Sequence, residues 1–303
     1  MGLFRYKAFG LNIESGIEIP EFSVSSDSPE VFVHLGEVPE SLDNPLFKGV
    51  RFEASPGAFL LRVDSIANFY TEAGTRITIQ PCRGAAEADI RLFLLGSAFG
   101  ALIHQRGMLP MHGSSVSFGG KAYIFSGISG VGKSTLAAGF VHRGYELLSD
   151  DISVVSLSGQ GQPLAYAGYP GVKLWSDSLV KLGMDPEHYA RVRSKLNKHH
   201  LHVQEQYHPD ALPLGGVYVL QTKNSEGLQL DELKGIEKFN ALKNNTYRLN
   251  FIKGLGNTEA HFRHVSALAA FCKVKRITRT SKSFSLDTLL DLVEKDIKGE
   301  ERG

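Results

Sequence analysis

Cysteine is scarce. Cys82 and Cys272 are the only two in 303 residues and lie far apart, which excludes a disulfide framework and the paired spacing of a structural zinc site. Net charge is almost absent too: a formal +1 gives no whole-molecule field to hold nucleic acid or an anionic membrane. Any preference for an anion must come from a local cluster. No apolar run reaches the ~18 residues of a membrane span, and the opening Met1-Gly-Leu-Phe-Arg-Tyr-Lys lacks an apolar signal core. Tyr6 stands where an N-myristoylation signal needs Ser or Thr. A cytoplasmic protein with no membrane and no nucleic-acid partner is expected. There is no internal repeat and no long low-complexity tract. What is present is a 42% hydrophobic chain, enough for one large domain or two ordinary ones.

The texture divides the chain. Residues 1–85 read as short strands, Phe4–Leu11, Val31–Leu35, Ala58–Val63 and Thr75–Gln80, separated by Gly, Pro, Ser and Asp: a small β-rich N-terminal domain. Residues 86–109 contain an apolar helical stretch, Glu87–Arg106, predicted to connect it to the rest of the chain. Residues 110–303 alternate strands with helices, the mark of an α/β core. The predicted strands are Gly113–Phe118, Lys121–Ser126, Tyr145–Ser149, Ile152–Leu157, Gly216–Gln221 and Val274–Arg279. The predicted helices are Lys133–Arg143, Lys234–Leu242, Thr258–Phe271 and Ser285–Ile297. A polar, His- and Arg-rich stretch at 183–213 reads as an insertion or active-site loop.

Gly127, Ile128, Ser129, Gly130, Val131, Gly132, Lys133 and Ser134, followed by Thr135, fit G-x-x-x-x-G-K-[ST] at every fixed position. The buried-strand run Ala122–Phe125 enters the loop, and Leu136–Val141 continues it as a helix. Glycines let backbone N–H groups curl around phosphate oxygens, and the helix N-terminus adds its positive end. In such a loop Lys133 reaches the β- and γ-phosphates of ATP and the Ser134 hydroxyl sits on Mg²⁺.

Asp150 and Asp151 follow the strand Tyr145–Ser149. A helix of about 11 residues from Lys133 ends ~16 Å from the loop. Gly144 suits the turn that stops it. About six extended residues return ~20 Å, bringing both aspartates back beside Ser134. In extended backbone adjacent side chains face opposite sides, so one carboxylate can hold Mg²⁺ while the other serves as a general base. Gly119-Gly120 is a good two-residue hairpin turn. Symmetric pairing around it makes facing residue numbers sum to 239, which sets His112 opposite Gly127 at the loop mouth.

Met111-His112-Gly113, the loop Gly127–Ser134 and Arg143-Gly144-Tyr-Glu-Leu-Leu-Ser-Asp150-Asp151 together resemble the catalytic core of the HPr serine kinase/phosphorylase family. Its nucleotide fold is similar to that of phosphoenolpyruvate carboxykinase. The spacings, 22 residues from His112 to Ser134 and 16 from Ser134 to Asp150, agree with that family, and the match covers roughly residues 112–156. The resemblance implies an α/β, P-loop nucleotide-binding core of the HPr kinase/PEP carboxykinase type. It implies ATP and Mg²⁺, with Lys133 on the phosphates, Ser134 and Asp150 on the metal, and Asp151 as base assisted by His112. A serine of a protein or peptide is the implied acceptor, and a homo-oligomer the implied assembly. The family's second signature, Leu-Glu-x-Arg-Gly-Leu-Gly, is missing: Tyr166-Ala-Gly-Tyr-Pro-Gly-Val-Lys-Leu-Trp175 stands in its region. That segment and Pro213-Leu-Gly-Gly-Val-Tyr218 look more like HPr-kinase-related proteins found with peptide-modification genes, some of which phosphorylate a lasso precursor peptide.

Other patterns are weaker. Asn197-Lys198-His-His lacks the aspartate of a guanine-reading motif, and Leu157-Ser-Gly-Gln-Gly-Gln follows the acidic pair, where a transporter-ATPase signature would precede it. His199, His200, His202 and His208 have no Cys or well-spaced carboxylate partner, so no zinc site is expected. The basic run His188–Lys198 reads either as phosphate- or peptide-neutralising charge or as a solvated helix face. Arg248 and Arg263, in or near the late helices, read either as residues that approach the nucleotide or as surface residues, and Phe262, Val265, Leu268, Ala269 and Phe271 as helix packing. A nucleotide-binding regulator or slow ATPase, and a sugar or polyol kinase, stay open on sequence alone.

Overall fold

A computed structural model describes residues 2–193, 196–223, 227–280 and 285–300. The fold is mixed α/β with several sheets. Nine N-terminal strands come first: β1 (Phe4–Ala8), β2 (Leu11–Ser15), β3 (Ser23–Val24), β4 (Val31–Leu35), β5 (Phe47–Lys48), β6 (Phe52–Ser55), β7 (Ala58–Val63), β8 (Ala67–Glu72) and β9 (Arg76–Pro81). They form one sheet in the order β3-β1-β2-β4-β9-β8-β7-β6-β5. The predicted single strand Phe4–Leu11 is in fact two. Phe9 and Gly10, with φ of +58° and +74°, make the hairpin turn between β1 and β2. Phe9 is fully buried because that turn docks inward: its N–H donates to the Ala167 carbonyl at 2.7 Å.

The predicted connecting helix is α1 (Glu87–Phe93), a π-turn at Leu94–Ala98 and α2 (Phe99–Gln105) in direct succession. Gly96 and Gly100, on one face, leave room for Tyr247: a Cβ at Gly100 would sit 2.9 Å from its ring. The core under the N-terminal sheet therefore extends through this helix to Tyr169, Tyr247 and Phe251. Both tyrosines back the cleft at the mouth of the glycine loop.

The second half carries β10 (Leu109–Phe118), β11 (Lys121–Gly127), α3 (Lys133–His142), β12 (Glu146–Ser149), β13 (Ile152–Leu157), β14 (Pro163–Tyr166), β15 (Gly171–Trp175), α4 (Ser176–Lys181), β16 (Lys198–His202) and β17 (Leu212–Lys223). After these come β18 (Gln229–Glu232), α5 (Gly235–Asn244), α6 (Phe251–Gly254), α7 (Thr258–Phe271), β19 (Lys273–Thr280) and α8 (Leu286–Glu300). The main sheet runs β11-β10-β13-β14-β17-β19-β18, with β12 on β10 and β11 also on β17. The strands β11, β17 and β19 are parallel. Ligands bind beyond the carboxyl ends of such strands, and the glycine loop leaves β11 there. Gly119 and Gly120 turn at φ +55° and +72°, and Gly113 faces Ser126, the register expected from the sequence.

Among the described residues of 183–213, expected as an insertion or active-site loop, there is no α-helix, and a 3₁₀ turn at Gln204–Gln206 follows β16. The stretch also holds a 3₁₀ turn at Pro186–His188 and β16, which pairs antiparallel with β15 as a separate two-stranded ribbon. Ser194 and Lys195 of the basic run lie outside the described residues. Among the described residues no helix is long and apolar enough to cross a membrane.

Candidate phosphate-binding and acid–base site

The loop geometry follows from its glycines. Gly127 has φ +136°, and an added Cβ would meet the Leu220 carbonyl of β17 at 2.5 Å, so no larger residue fits. Gly130 and Gly132 turn at +81° and +101°, and nothing lies within 4 Å of a Cβ built at Gly130. The α3 helix begins at Lys133 with Gly132 as N-cap, its first turn closed by Leu136 N–H to the Gly132 carbonyl at 2.9 Å. Its first amides therefore face the glycine loop. Ser129, Gly130, Gly132, Lys133, Ser134 and Thr135 line a cleft of about 160 Å³ together with His112 and Asp151. Gly127, Ile128 and Val131 do not line it. Val131 is buried, and the carbonyls of Gly127 and Ile128 each accept from Lys133 Nζ at 3.0 Å.

The two aspartates part company through backbone conformation. Extended backbone is expected at both from the sequence, but Asp151 has φ +69° and Ile152 N–H reaches back to the Asp150 carbonyl at 2.9 Å. This is a γ-turn of the strained, positive-φ kind, and it turns Asp151 into the cleft. Asp150 goes the other way and is 2% exposed. Its Oδ1 accepts from Ser114 Oγ at 2.6 Å and its Oδ2 from the Lys173 backbone N–H at 2.9 Å. Asp150→Ala would leave both donors without an acceptor, each costing about 1–3 kcal/mol. A lowered urea midpoint with an unchanged slope is the expected result.

His112 is the last β10 residue before the register with β11 begins. Its Nδ1–H donates to the Asp151 carbonyl at 3.2 Å, and Nδ1 is 3.6 Å from Asp151 Oδ1. That leaves Nε2 as the acceptor nitrogen. Burial, then the Lys133 ammonium, push His112 below the usual imidazole value against the opposing pull of Asp151. The ring is neutral at pH 7. Tyr247 lies 5.7 Å behind it, kept a neutral phenol because burial pushes its pKa up to about 12. Gly113 is as tightly placed: a Cβ there would meet the Phe125 carbonyl oxygen at 2.7 Å. Gly113→Ala is expected to cost about 1–3 kcal/mol, read by urea unfolding, because β10 and β11 must separate beside His112.

Cations surround Asp151. Burial would raise its carboxyl, but Lys173, His112, Lys198 and Lys133 outweigh that and hold it below the usual range. Burial likewise opposes the charge on Lys173, yet Tyr169, Asp151 and Asp150 outweigh it and hold the amine above the usual lysine range. Lys173 is 7% exposed and its ammonium lies 5.7 Å from the Tyr169 ring centroid. Lys133 is lowered by burial, with Asp151 and Asp150 offsetting part.

Several lining residues have no counterpart in the sequence reading. Arg279, near the carboxyl end of β19, lines the cleft and donates through Nη2 to the Val131 carbonyl at 3.1 Å. The ribbon roofs the cleft. On β15 Lys173 and Trp175 share a face, and Trp175 stands opposite Lys198 of β16, whose ammonium is 6.0 Å from the indole. Ser178 of α4 bonds Thr135 Oγ1 at 2.8 Å. Parallel-strand ends are where ligand groups gather, a signal that could have pointed to Arg279 at the end of the predicted strand Val274–Arg279. No local signal pointed to Lys173. Arg248 does not line the cleft; its guanidinium lies 5.5 Å from the Tyr247 ring centroid. Arg263 is exposed on α7 and is not a lining residue either. His199 bonds Ser176 and the Tyr189 carbonyl, and among the described residues no group of three or more His, Cys, Asp or Glu could hold a metal.

No family model matches the chain, and no curated protein matches it. Among solved structures, the HPr(Ser) kinase/phosphatase from Coxiella burnetii is similar over 63% of this chain and 92% of that chain, at 10% identity and a TM-score of 0.37.

Proposed function

We propose that the chain is a Mg²⁺-ATP-dependent phosphotransferase acting on a hydroxyl, with a serine of a protein or peptide as acceptor. In this reading residues 110–303 are the P-loop kinase domain, 1–85 the N-terminal domain and 86–109 the helix joining them. One observation carries the reading: Asp151 and His112 line the same cleft as Lys133 and Ser134. A bare anion site would need the loop and its cations but no carboxylate held beside them.

The residues fit the nucleotide. The open cradle at Gly130, the α3 amides and the Lys133 ammonium suit phosphate oxygens, and Arg279 adds a second cation from the carboxyl end of β19. Ser134 and Asp151 offer hard oxygen donors too few to hold Mg²⁺ by themselves, as expected where phosphates complete the shell. Held by Ser134 and Asp151, Mg²⁺ would supply neutralisation of the charge that develops in phosphoryl transfer. Asp150, assigned to the metal by the family resemblance, is buried, does not line the cleft and has a hydrogen bond on each carboxylate oxygen, so it is not among the donors that face the phosphates. Its first task in this reading is to hold Lys173 and β15 in place.

Asp151 accepts the acceptor's proton as its oxygen bonds to the γ-phosphorus and the bond to the β–γ bridging oxygen breaks, giving ADP and a phosphomonoester. A low-pKa carboxylate suffices, because a loose transition state releases that proton late. Neutral His112 holds the Asp151 carbonyl and so its strained turn. Incubation with γ-labelled ATP, Mg²⁺ and serine peptides should give labelled peptide. Trp175, the only tryptophan and a lining residue, should report nucleotide binding by fluorescence. Nucleotide binding without any labelled acceptor would leave a regulator or ATPase in place of a kinase.

A further inference from the structure

Lys198 of β16 lines the phosphate-binding cleft from the ribbon. Its backbone is fixed on both edges. It pairs with Trp175 of β15, and its carbonyl accepts from the Val192 N–H at 2.8 Å. A bridge between Arg191 and His199 continues that second edge, and an ion pair from Arg193 to Asp89 at 2.8 Å ties it to the connecting helix. Lys173 and Trp175 share a face of β15 and Lys198 stands opposite Trp175, so all three side chains line the cleft.

The other cations of the cleft already have partners. Lys133 donates to the Gly127 and Ile128 carbonyls, Lys181 pairs with Asp177 at 3.4 Å, and Arg279 donates to the Val131 carbonyl. Lys173 stands among Tyr169, Asp151 and Asp150, which outweigh its burial. Among the described residues Lys198 makes no ion pair and no side-chain hydrogen bond. Its ammonium lies 6.0 Å from the Trp175 indole, which leaves its three N–H donors for a ligand.

The position of the ammonium says which group that ligand presents. Its charge interacts electrostatically with Lys133 and with Asp151. In the proposed reaction Lys133 holds the donor's phosphates and Asp151 meets the acceptor's hydroxyl. The group between those two is the one being transferred.

Resting on the phosphotransferase reading, we infer that the Lys198 ammonium donates to a non-bridging oxygen of the γ-phosphoryl group, with the Trp175 face setting its direction. The ammonium keeps its proton throughout. It neutralises charge on the phosphoryl oxygens while the bond to the β–γ bridging oxygen breaks and the acceptor's oxygen bonds to phosphorus.

Lys198→Met, Lys198→Gln and Lys198→Arg of the full chain test this, each first checked by thermal melting. The two neutral variants stand in for each other should one fail to fold. Calorimetric titration with a non-hydrolysable ATP analogue and with ADP, both with Mg²⁺, separates the γ-phosphate from the rest of the nucleotide. The neutral variants should bind the analogue roughly ten-fold more weakly and ADP within about two-fold of the parent. Their kcat for serine peptides should fall roughly a hundred-fold, and Lys198→Arg should recover most of both losses. Equal weakening of analogue and ADP, or no change in either, would overturn the assignment. So would a raised peptide KM at unchanged kcat, which puts the ammonium on the acceptor instead. An unmodified chain that binds neither nucleotide sinks the phosphotransferase reading and this assignment together. One that binds both but labels no peptide sinks transfer to peptides alone, and the ratio of analogue to ADP affinity still decides Lys198.

Discussion

Replacing Lys133 by methionine is expected to lower phosphoryl transfer by roughly three orders of magnitude while leaving the chain folded. Lys133 is 7% exposed, and its ammonium donates to the carbonyls of Gly127 and Ile128. Those carbonyls keep it at the loop mouth, where an incoming phosphate can take over its protons. Methionine keeps the stem's packing and removes the charge. Two carbonyls lose a donor, but a buried charge that was costly to desolvate also goes, so the melting temperature should shift by only a few degrees. The measurements are transfer rate, nucleotide affinity from Trp175 fluorescence, and thermal melting of one preparation. Because burial lowers the Lys133 pKa, its proton is lost earlier as pH rises than from an ordinary lysine at ~10.4. Affinity of the unmodified chain for nucleotide should therefore start to weaken below that pH, and the Met variant should lack this limb. A variant that transfers phosphate at a near-normal rate would remove the glycine loop from the chemistry.

The sequence was most legible where one short segment fixes its own geometry. The glycine loop has a required spacing, and Gly119-Gly120 fixes a register that carries His112 to its place. Val31–Leu35, Ala58–Val63, Ile152–Leu157 and Thr258–Phe271 form with the expected bounds because each has a clear apolar period and sharp flanks. Ala67–Glu72 alternates buried and part-buried residues and was missed, since Asn68 and the turn residues before it dilute the pattern. The ribbon was illegible for a deeper reason. β15 and β16 pair across more than twenty intervening residues, and the basic run suggested a helix face by composition alone. Lys173 breaks the usual expectation that lysines are exposed, and only the convergence of Tyr169, Asp150 and Asp151 makes its burial tolerable. A positive φ at an aspartate has no sequence signature either, so the divergence of Asp150 and Asp151 could be guessed but not its cause.

Asp151→Asn should lower transfer by roughly 10²–10⁴-fold while nucleotide affinity stays within a few fold. The substitution is clean because asparagine shares aspartate's tolerance of positive φ, so the γ-turn at φ +69° survives. Asp151→Val would not serve, since a β-branched residue at that φ adds strain and would confuse loss of the base with loss of the turn. Lys173 retains Asp150 and Tyr169 as neighbours, so its amine stays charged and buried in the variant. The pH profile separates the two roles further. The Asp151 carboxyl is held below its usual value, so in the unmodified chain it is a carboxylate throughout the neutral range and gains a proton only at a pH below ~3.9. His112 is also lowered, so it gains its proton below ~6.5. Transfer should stay level as pH falls from 8 towards ~6.5, then decline as imidazolium forms beside Lys133 and its charge makes the Asp151 carboxylate a weaker base. Residual activity in Asp151→Asn should lose the His112 limb and any dependence on carboxylate titration. An Asn variant as active as the parent would show that the acceptor loses its proton to water, leaving Asp151 as a charge that only positions Lys173.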